Sequence, residues 1–276
     1  MKIDKVINNN IISSFDDQGR ELVVMGRGLG FKKKSGQEID DSLIEKIFRM
    51  DNKEGTDHLK TLFSEIPIEH IEITNDIISY AKEHLNKKLN RNIYISLTDH
   101  INFAIERHNK GLDYTNPLLW DIKKFYAAEY KVGLEAVQLI KERLNIELKA
   151  EDEGAAIALH LVNAELESTM DQTQNITHLI QEVVKIIKYH YQREINEQSI
   201  HFERFLTHLK FFAQRIFSDK MLNSNEDGLL EMVKTQYVTA FECTEKIAKF
   251  ILAEYKYTLS NEEHIYLCIH IQRIMN

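Results

Sequence analysis

The chain has 276 residues, of which 43% are hydrophobic and 28% charged, and a formal net charge of −8, a composition typical of a soluble globular protein with two or three domains. No apolar run approaches the roughly 18 residues of a membrane span, and the N-terminal stretch lacks the apolar core of a signal peptide, so we expect a cytoplasmic protein without membrane insertion. The two cysteines, Cys243 and Cys268, have neither metal-site nor disulfide-framework spacing, which argues against cysteine chemistry.

Charge is distributed unevenly along the chain. Residues 1–34 carry seven Lys and Arg against four Asp and Glu, residues 35–56 carry three against six, and the whole net charge of −8 therefore falls in residues 57–276. Phosphate backbones are bound mainly through Lys and Arg. The distribution predicts a small basic-tipped module that can contact nucleic acid, joined to a large acidic body with a second function.

Short apolar and β-branched runs occupy the first 34 residues. They are KVI, IISSF, ELVVM and GLGF, and the sequence DDQG between the second and third is a good turn between antiparallel strands. These runs predict a small all-β domain of about four antiparallel strands. The apolar residues then change to helical spacing over 43–48, and the polar segment 51–57 predicts a linker.

A glycine-rich segment, VVMGRGLGFKKKSG at residues 23–36, holds four of the ten glycines beside one Arg and three consecutive Lys. A dinucleotide loop is disfavoured, because GRGLGF is not GxGxxG and no long helix follows directly. A solvated hairpin with a basic tail remains open. The residue types favour a binder of structured RNA: glycine permits close backbone approach, phenylalanine can stack on a base, asparagine can read base edges, and lysine neutralises phosphate.

The chain beyond residue 57 has helical spacing throughout and contains a repeat. SLTDHINFAIER aligns with RFLTHLKFFAQR at an offset of 108 residues, and EGAAIALHLV aligns with EHIYLCIHIQ at an offset of 110. The repeat predicts two homologous all-α helical bundles, with the boundary in the polar segment 166–175. We therefore divide the chain into residues 1–56, 57–171 and 172–276.

The repeat selects four of the twelve histidines, since His100 aligns with His208 and His160 with His270. A buried structural histidine is the commoner outcome for any single one, and no acceptor recurs beside both members of an aligned pair. Zinc ligands normally have short spacings, and a general base needs a nucleophile; neither is indicated. A phosphoacceptor needs only an accessible neutral imidazole. The roughly −1.5 to −2 charge that a phosphoryl group adds would open or lock a domain interface.

Over its whole length the chain resembles the bacterial transcriptional antiterminators of the BglG/SacY/LicT type, and most closely the LicT-like β-glucoside branch. KVINNN and ELVVMGRGLGFKKKSG resemble the co-antiterminator RNA-binding domain of that family. SLTDHINFAIER, EGAAIALHLVNAE, FLTHLKFFAQR and LCIHIQR resemble its two PTS regulation domains, which respond to the sugar phosphotransferase system.

The resemblance implies a homodimer whose N-terminal domain binds a leader-RNA hairpin, so that an overlapping terminator does not form and sugar-utilisation genes are transcribed. It implies that His100 and His160 take phosphate from the sugar-specific PTS transport component, which inhibits, and that His208 and His270 are phosphorylated through HPr, which activates. The RNA contacts that it implies are Lys5, Asn8, Asn10, Gly26, Arg27, Gly28 and Phe31.

Two other functions were weighed. A phosphorylation-responsive DNA-binding regulator with the same helical domains is the alternative, although the strand-like, glycine-broken N-terminus does not favour a helix-turn-helix. An enzyme or phosphocarrier using the four histidines would need a small-molecule pocket that the sequence does not indicate. We therefore expect a non-enzyme without a metal or cofactor.

Overall fold

The computed structural model of the chain describes residues 1–112, 114–217 and 227–276. It divides into two compact units, Met1–Glu167 and Ser168–Asn276. The first unit begins with a four-stranded antiparallel sheet whose strands neighbour each other in chain order. The strands are β1 (Ile3–Val6), β2 (Ile11–Phe15), β3 (Glu21–Met25) and β4 (Lys46–Phe48). The predicted fold class, a small all-β N-terminal domain followed by helices, is confirmed.

The fourth strand is not the one that the sequence predicted. The GLGF segment lies in a series of turns over residues 27–32, and β4 forms instead where the apolar residues have helical spacing. Ile47 pairs with Val24 and Phe48 with Val23, so the two side chains point to opposite faces of the sheet, as successive strand residues do. Pairing with β3 overrides the local pattern in this short segment.

Both faces of the sheet are covered. On one face, buried apolar residues of β2, β3 and β4 pack on helix α1 (Lys53–Glu65), where Leu59 and Phe63 are fully buried. On the other face, buried apolar residues of β1, β2 and β3 pack under Leu29 and Ile39. Helix α1 begins inside the predicted linker, because the side chain of Asn52 caps it by accepting a hydrogen bond from the Gly55 amide at 2.7 Å. The segment predicted as a linker is therefore helical from Lys53, and the domain boundary at residue 56 stays a prediction.

Helices form the rest of the described chain, and none of those described is both long and apolar enough to cross a membrane. In the first unit α1 is followed by α2 (Ile68–Leu85), α3 (Ile93–Asn109), α4 (Leu119–Phe125), α5 (Ala127–Leu144) and α6 (Ala150–Leu166). The second unit contains α7 (Met170–Tyr191), α8 (Ile200–Phe217), α9 (Asp227–Gln236), α10 (Val238–Tyr255) and α11 (Asn261–Met275). In the first unit α2, α3, α5 and α6 share one apolar core.

The polar segment 166–175 is helical over more of its length than the sequence suggested. Helix α6 ends at Leu166 and α7 begins at Met170 with a capping box, in which Thr169 and Gln172 each bond to the other's backbone amide. Such a box starts a helix within a polar sequence. The predicted division of the helical body at 171/172 stays a prediction.

Candidate RNA-binding face and paired histidine sites

Two turns at one end of the sheet are joined by hydrogen bonds. One turn links β1 to β2 and contains residues 8–10; the other follows β3 and contains residues 26–31. The Gly26 amide donates to the Asn10 carbonyl, the Gly28 amide to Asn10 Oδ1, and the Gly30 amide to the Asn9 carbonyl, each at 2.9 Å. This two-turn face, residues 8–10 and 26–31, brings together six of the seven implied RNA contacts. The seventh, Lys5, is exposed on β1.

The glycines of the two-turn face are needed by the protein's own backbone. A Cβ at Gly26 would overlap the carbonyl oxygen of Leu43, and one at Gly30 would overlap that of Asn8. Gly28 is exposed and has a φ of +72°, a conformation that costs other residues free energy. The glycine pattern therefore specifies the turns, and only Gly28 of these three lies at the surface.

Arg27 carries an exposed positive charge on this face and forms an ion pair with a residue of α2. Its Nε and Nη2 donate to the two carboxylate oxygens of Glu72 on α2 at 2.9 and 2.7 Å. The side chain of Arg27 remains 67% exposed. Nearby Asn8 donates from Nδ2 to the carbonyl of Phe63 on α1 at 2.9 Å. Two implied RNA contacts are thus bonded to the first two helices, a feature that the sequence did not reveal.

Phe31 is the exposed aromatic residue of the two-turn face. Its side chain is 55% exposed, and the Lys32 ammonium lies 5.2 Å from the centroid of its ring. An exposed ring beside a cation is suited to stacking on an unpaired base next to a phosphate. Arg27, Gly28, Phe31 and Lys32 are therefore exposed on this face, while Asn8 and Asn10 are half-buried.

The four predicted histidines form two close pairs. His100 on α3 and His160 on α6 have ring centroids 4.7 Å apart, and His208 on α8 and His270 on α11 have ring centroids 4.9 Å apart. Members of a pair lie about 60 residues apart in the chain, so the contact arises from helix packing. Each helical region holds one pair in the same arrangement.

A glutamate and an arginine lie near each histidine pair. Glu153 Oε2 lies 3.5 Å from His100 Nε2, and its other oxygen accepts a hydrogen bond from Arg107. In the second unit Arg215 lies 3.8 Å from Glu263. The carboxylate near His100 stands seven residues before His160, and Glu263 holds the same place before His270. The recurring seven-residue spacing was the signal available in the sequence.

The second histidine of each pair is kept neutral by its surroundings. Burial, reinforced by the positive form of His100, lowers the pKa of His160 well below its usual value. Burial, together with His208 and Arg273, lowers the pKa of His270 to about 4. His270 is 9% exposed, whereas His208 is at the surface and His100 is half-buried. The second pair therefore combines an exposed imidazole with an enclosed, unprotonated one, whereas both imidazoles of the first pair are half-buried.

Acidification should destabilise the second unit through His270. Its pKa is lowered on folding, so the contribution to stability is complete above the unfolded value near 6.5 and is lost as the pH falls toward about 4. We expect about 3 kcal/mol less stability at the acid end of this window. Urea unfolding at pH 7 and pH 4.5 tests this, with His270→Asn as comparison; an equal pH dependence in both proteins would contradict it.

Comparison with known proteins gives matches over the whole chain. Residues 1–57 match the family model of the CAT RNA binding domain, and residues 75–164 and 181–274 match that of the PRD domain. The transcription antiterminator LicT of Bacillus subtilis (strain 168) is 53% identical over 275 residues, covering 100% of this chain and 99% of LicT. The beta-glucoside operon antiterminator of Dickeya chrysanthemi is 46% identical over 274 residues, covering 99% and 96%.

A solved structure resembles the N-terminal part of the fold. The crystal structure of GlcT CAT-PRDI aligns with a TM-score of 0.53 at 33% sequence identity and covers 59% of this chain and 97% of that one. Within the described ranges, three or more His, Cys, Asp or Glu side chains are nowhere grouped so as to hold a metal ion.

Proposed function

Since this chain belongs to the family of transcription antiterminators with a CAT RNA-binding domain and PRD domains, we propose that it binds a leader-RNA hairpin of a sugar-utilisation operon, with a β-glucoside operon as the first candidate. The bound hairpin excludes an overlapping terminator, and RNA polymerase reads into the genes beyond it. The observation that carries the proposal is the two-turn face, on a chain 53% identical to an antiterminator along its full length.

The chemistry of the two-turn face suits a hairpin. Arg27 offers a planar guanidinium for bidentate bonding to phosphate or to a guanine edge, and Phe31 stacks on an unpaired base. Asn8 and Asn10 supply amides for base edges, while Lys5 neutralises phosphate. Two copies of this face in a symmetric homodimer contact both strands of a hairpin.

Phosphorylation of the histidine pairs regulates RNA binding in this proposal. The sugar-specific PTS transport component donates to His100 and His160 and inhibits, whereas HPr donates to His208 and His270 and activates. In each transfer a neutral ring nitrogen attacks phosphorus, the donor's bond to phosphorus breaks, and the ring N–H proton leaves to solvent. The neutral state of His160 and His270 supports a nucleophilic role.

A regulator of this kind turns over no substrate, and we place it in the cytoplasm, where nascent transcripts and PTS phosphocarriers occur. The alternative of a DNA-binding regulator is disfavoured by the four-stranded sheet, which occupies the region where a helix-turn-helix would lie. In vitro transcription of a leader template tests the function: we expect read-through past the terminator to rise with added protein. Unchanged termination at saturating protein would contradict the proposal.

Glu72 competes with RNA for Arg27. Because the carboxylate already occupies one bidentate edge of the guanidinium, formed by Nε and Nη2, an RNA phosphate that binds this edge must displace it. We expect Glu72→Gln to tighten hairpin binding by the full chain about two- to fivefold, the range of an exposed ion pair. Glu83→Gln, at an exposed position three turns along α2, removes the same charge and serves as control. Equal tightening by both variants would mean that only net charge matters.

A further inference from the structure

The two histidine sites are built on the same pair of helical spacings. In each site an arginine follows the first histidine by seven residues, and a glutamate precedes the second by seven residues: His100 and Arg107 with Glu153 and His160, and His208 and Arg215 with Glu263 and His270. Seven residues are close to two helical turns, so each pair shares one helix face. The proposed phosphorylation uses only the histidines, and leaves the charged groups without a role.

A cavity of about 150 Å³ lies beside the more accessible histidine of the second unit. It is lined by His208, Phe211, Arg215, Glu262, Glu263 and Tyr266. A water molecule occupies about 30 Å³ of liquid, so the cavity has room for a phosphorus atom with three oxygens. His208, the proposed phosphoacceptor, and Arg215 therefore line the same cavity.

A phosphoryl group in this cavity requires a positive partner. It brings a charge of roughly −1.5 to −2 next to the carboxylates of Glu262 and Glu263, and like charges in a partly buried site repel strongly. The guanidinium of Arg215 lies 3.8 Å from the carboxylate of Glu263. Its planar donors match phosphate oxygens in a bidentate arrangement better than an ammonium does.

Glu263 has other partners that hold it if the arginine turns away. The hydroxyl of Tyr257 donates to its two oxygens at 2.9 and 3.2 Å, and the Ser260 amide donates to Oε2 at 3.0 Å. The carboxylate is therefore satisfied without Arg215. The arginine is able to exchange partners while the oxygens of Glu263 keep their hydrogen bonds.

We propose that Arg215 binds the phosphoryl group carried by His208, exchanging Glu263 for phosphate. This inference rests on the proposed histidine phosphorylation and adds the residue that recognises the product. Arg107 holds the equivalent position in the first unit, but there its partner Glu153 is buried and the other oxygen of this carboxylate has no hydrogen bond from any described residue, so the exchange is assigned to Arg215 alone. When the phosphoryl group arrives, the exchange breaks the ion pair between Arg215 on α8 and Glu263 on α11.

The test follows the ionisation of the phosphoryl group itself. The full chain is phosphorylated with potassium phosphoramidate, and the ³¹P resonance that disappears in His208→Ala is titrated with pH. A neighbouring guanidinium lowers the second pKa of a phosphoryl group below its ordinary value near about 6. We expect Arg215→Gln to raise that pKa by about one unit. Arg204→Gln, at an exposed position on the same helix, should leave it unchanged.

A second variant keeps the inference testable if Arg215→Gln fails to fold. Arg215→Lys retains the charge and loses the planar fork, and we expect a smaller rise in the pKa of the phosphoryl group. Titrations that coincide with wild type in the folded Arg215 variants would overturn the assignment of the arginine alone. A wild-type spectrum without a His208-dependent resonance would overturn the proposed phosphorylation, and the inference with it.

Discussion

Arg27→Ala weakens binding of the full chain to its leader hairpin by about 1 to 3 kcal/mol, or about five- to 150-fold, the range of one bidentate arginine contact. Arg27 is the exposed guanidinium of the two-turn face, and its side chain extends from a turn whose backbone is fixed by Gly26, Gly28 and the carbonyl of Asn10. The turn therefore survives the substitution, and the loss reports on RNA contact rather than on folding. Affinity is measured at one fixed salt concentration, with circular dichroism to show that the fold is retained.

Arg20→Ala is the matched control for this substitution. Arg20 is similarly exposed, at 62%, and is paired with Asp16 at the other end of β3. Removing it takes the same charge from the same domain but away from the two-turn face. An equal loss of affinity in both variants would show that the domain attracts RNA only through its net charge, and would remove Arg27 from the site.

Aspartate at both His208 and His270 is expected to shift the chain toward the dimeric, antiterminating state that we propose, without any phosphoryl donor. A carboxylate supplies part of the negative charge of a phosphoryl group, and couplings of this kind change an equilibrium by about five- to 150-fold. We expect tighter dimerisation in sedimentation equilibrium and more read-through in transcription assays. We expect Arg215 to pair with the new carboxylate at position 208, as it would with the phosphoryl group on His208.

The control for this double variant introduces the same charge elsewhere in the second unit. His178→Asp with His201→Asp alters two exposed histidines outside the pair. Dimerisation and read-through should stay at wild-type levels in this protein. Unchanged dimerisation and read-through in the His208 and His270 variant itself would count against activation through this pair.

The sequence was sufficient for the parts of the fold that depend on long or repeated patterns. The first three strands follow from short apolar and β-branched runs, and the four histidines follow from two pairs of aligned helical segments. The fourth strand did not follow, because it contains three residues and is positioned by pairing with β3. A segment this short has no periodicity of its own with which to oppose that pairing.

In the candidate sites, too, some residues could be identified from the sequence and others depend on how the helices pack. The residues of the two-turn face and the histidines were identified from residue type and resemblance. Glu72 was not, since it lies 45 residues from Arg27 and meets it only after α2 packs near the sheet. Glu153 was visible in the repeat, yet its contact with His100 depends on how α3 and α6 cross.

The most direct test of the central claim is a titration of the full chain against the leader hairpin of its own operon, with a scrambled duplex of equal length as control, at two salt concentrations. Binding to RNA phosphate alone weakens steeply with salt and ignores sequence, whereas base and shape contacts preserve selectivity. We predict tight binding to the hairpin and a preference over the scrambled duplex at both salt concentrations. Equal weak binding to both RNAs, lost at the higher salt concentration, would contradict the assignment as an antiterminator.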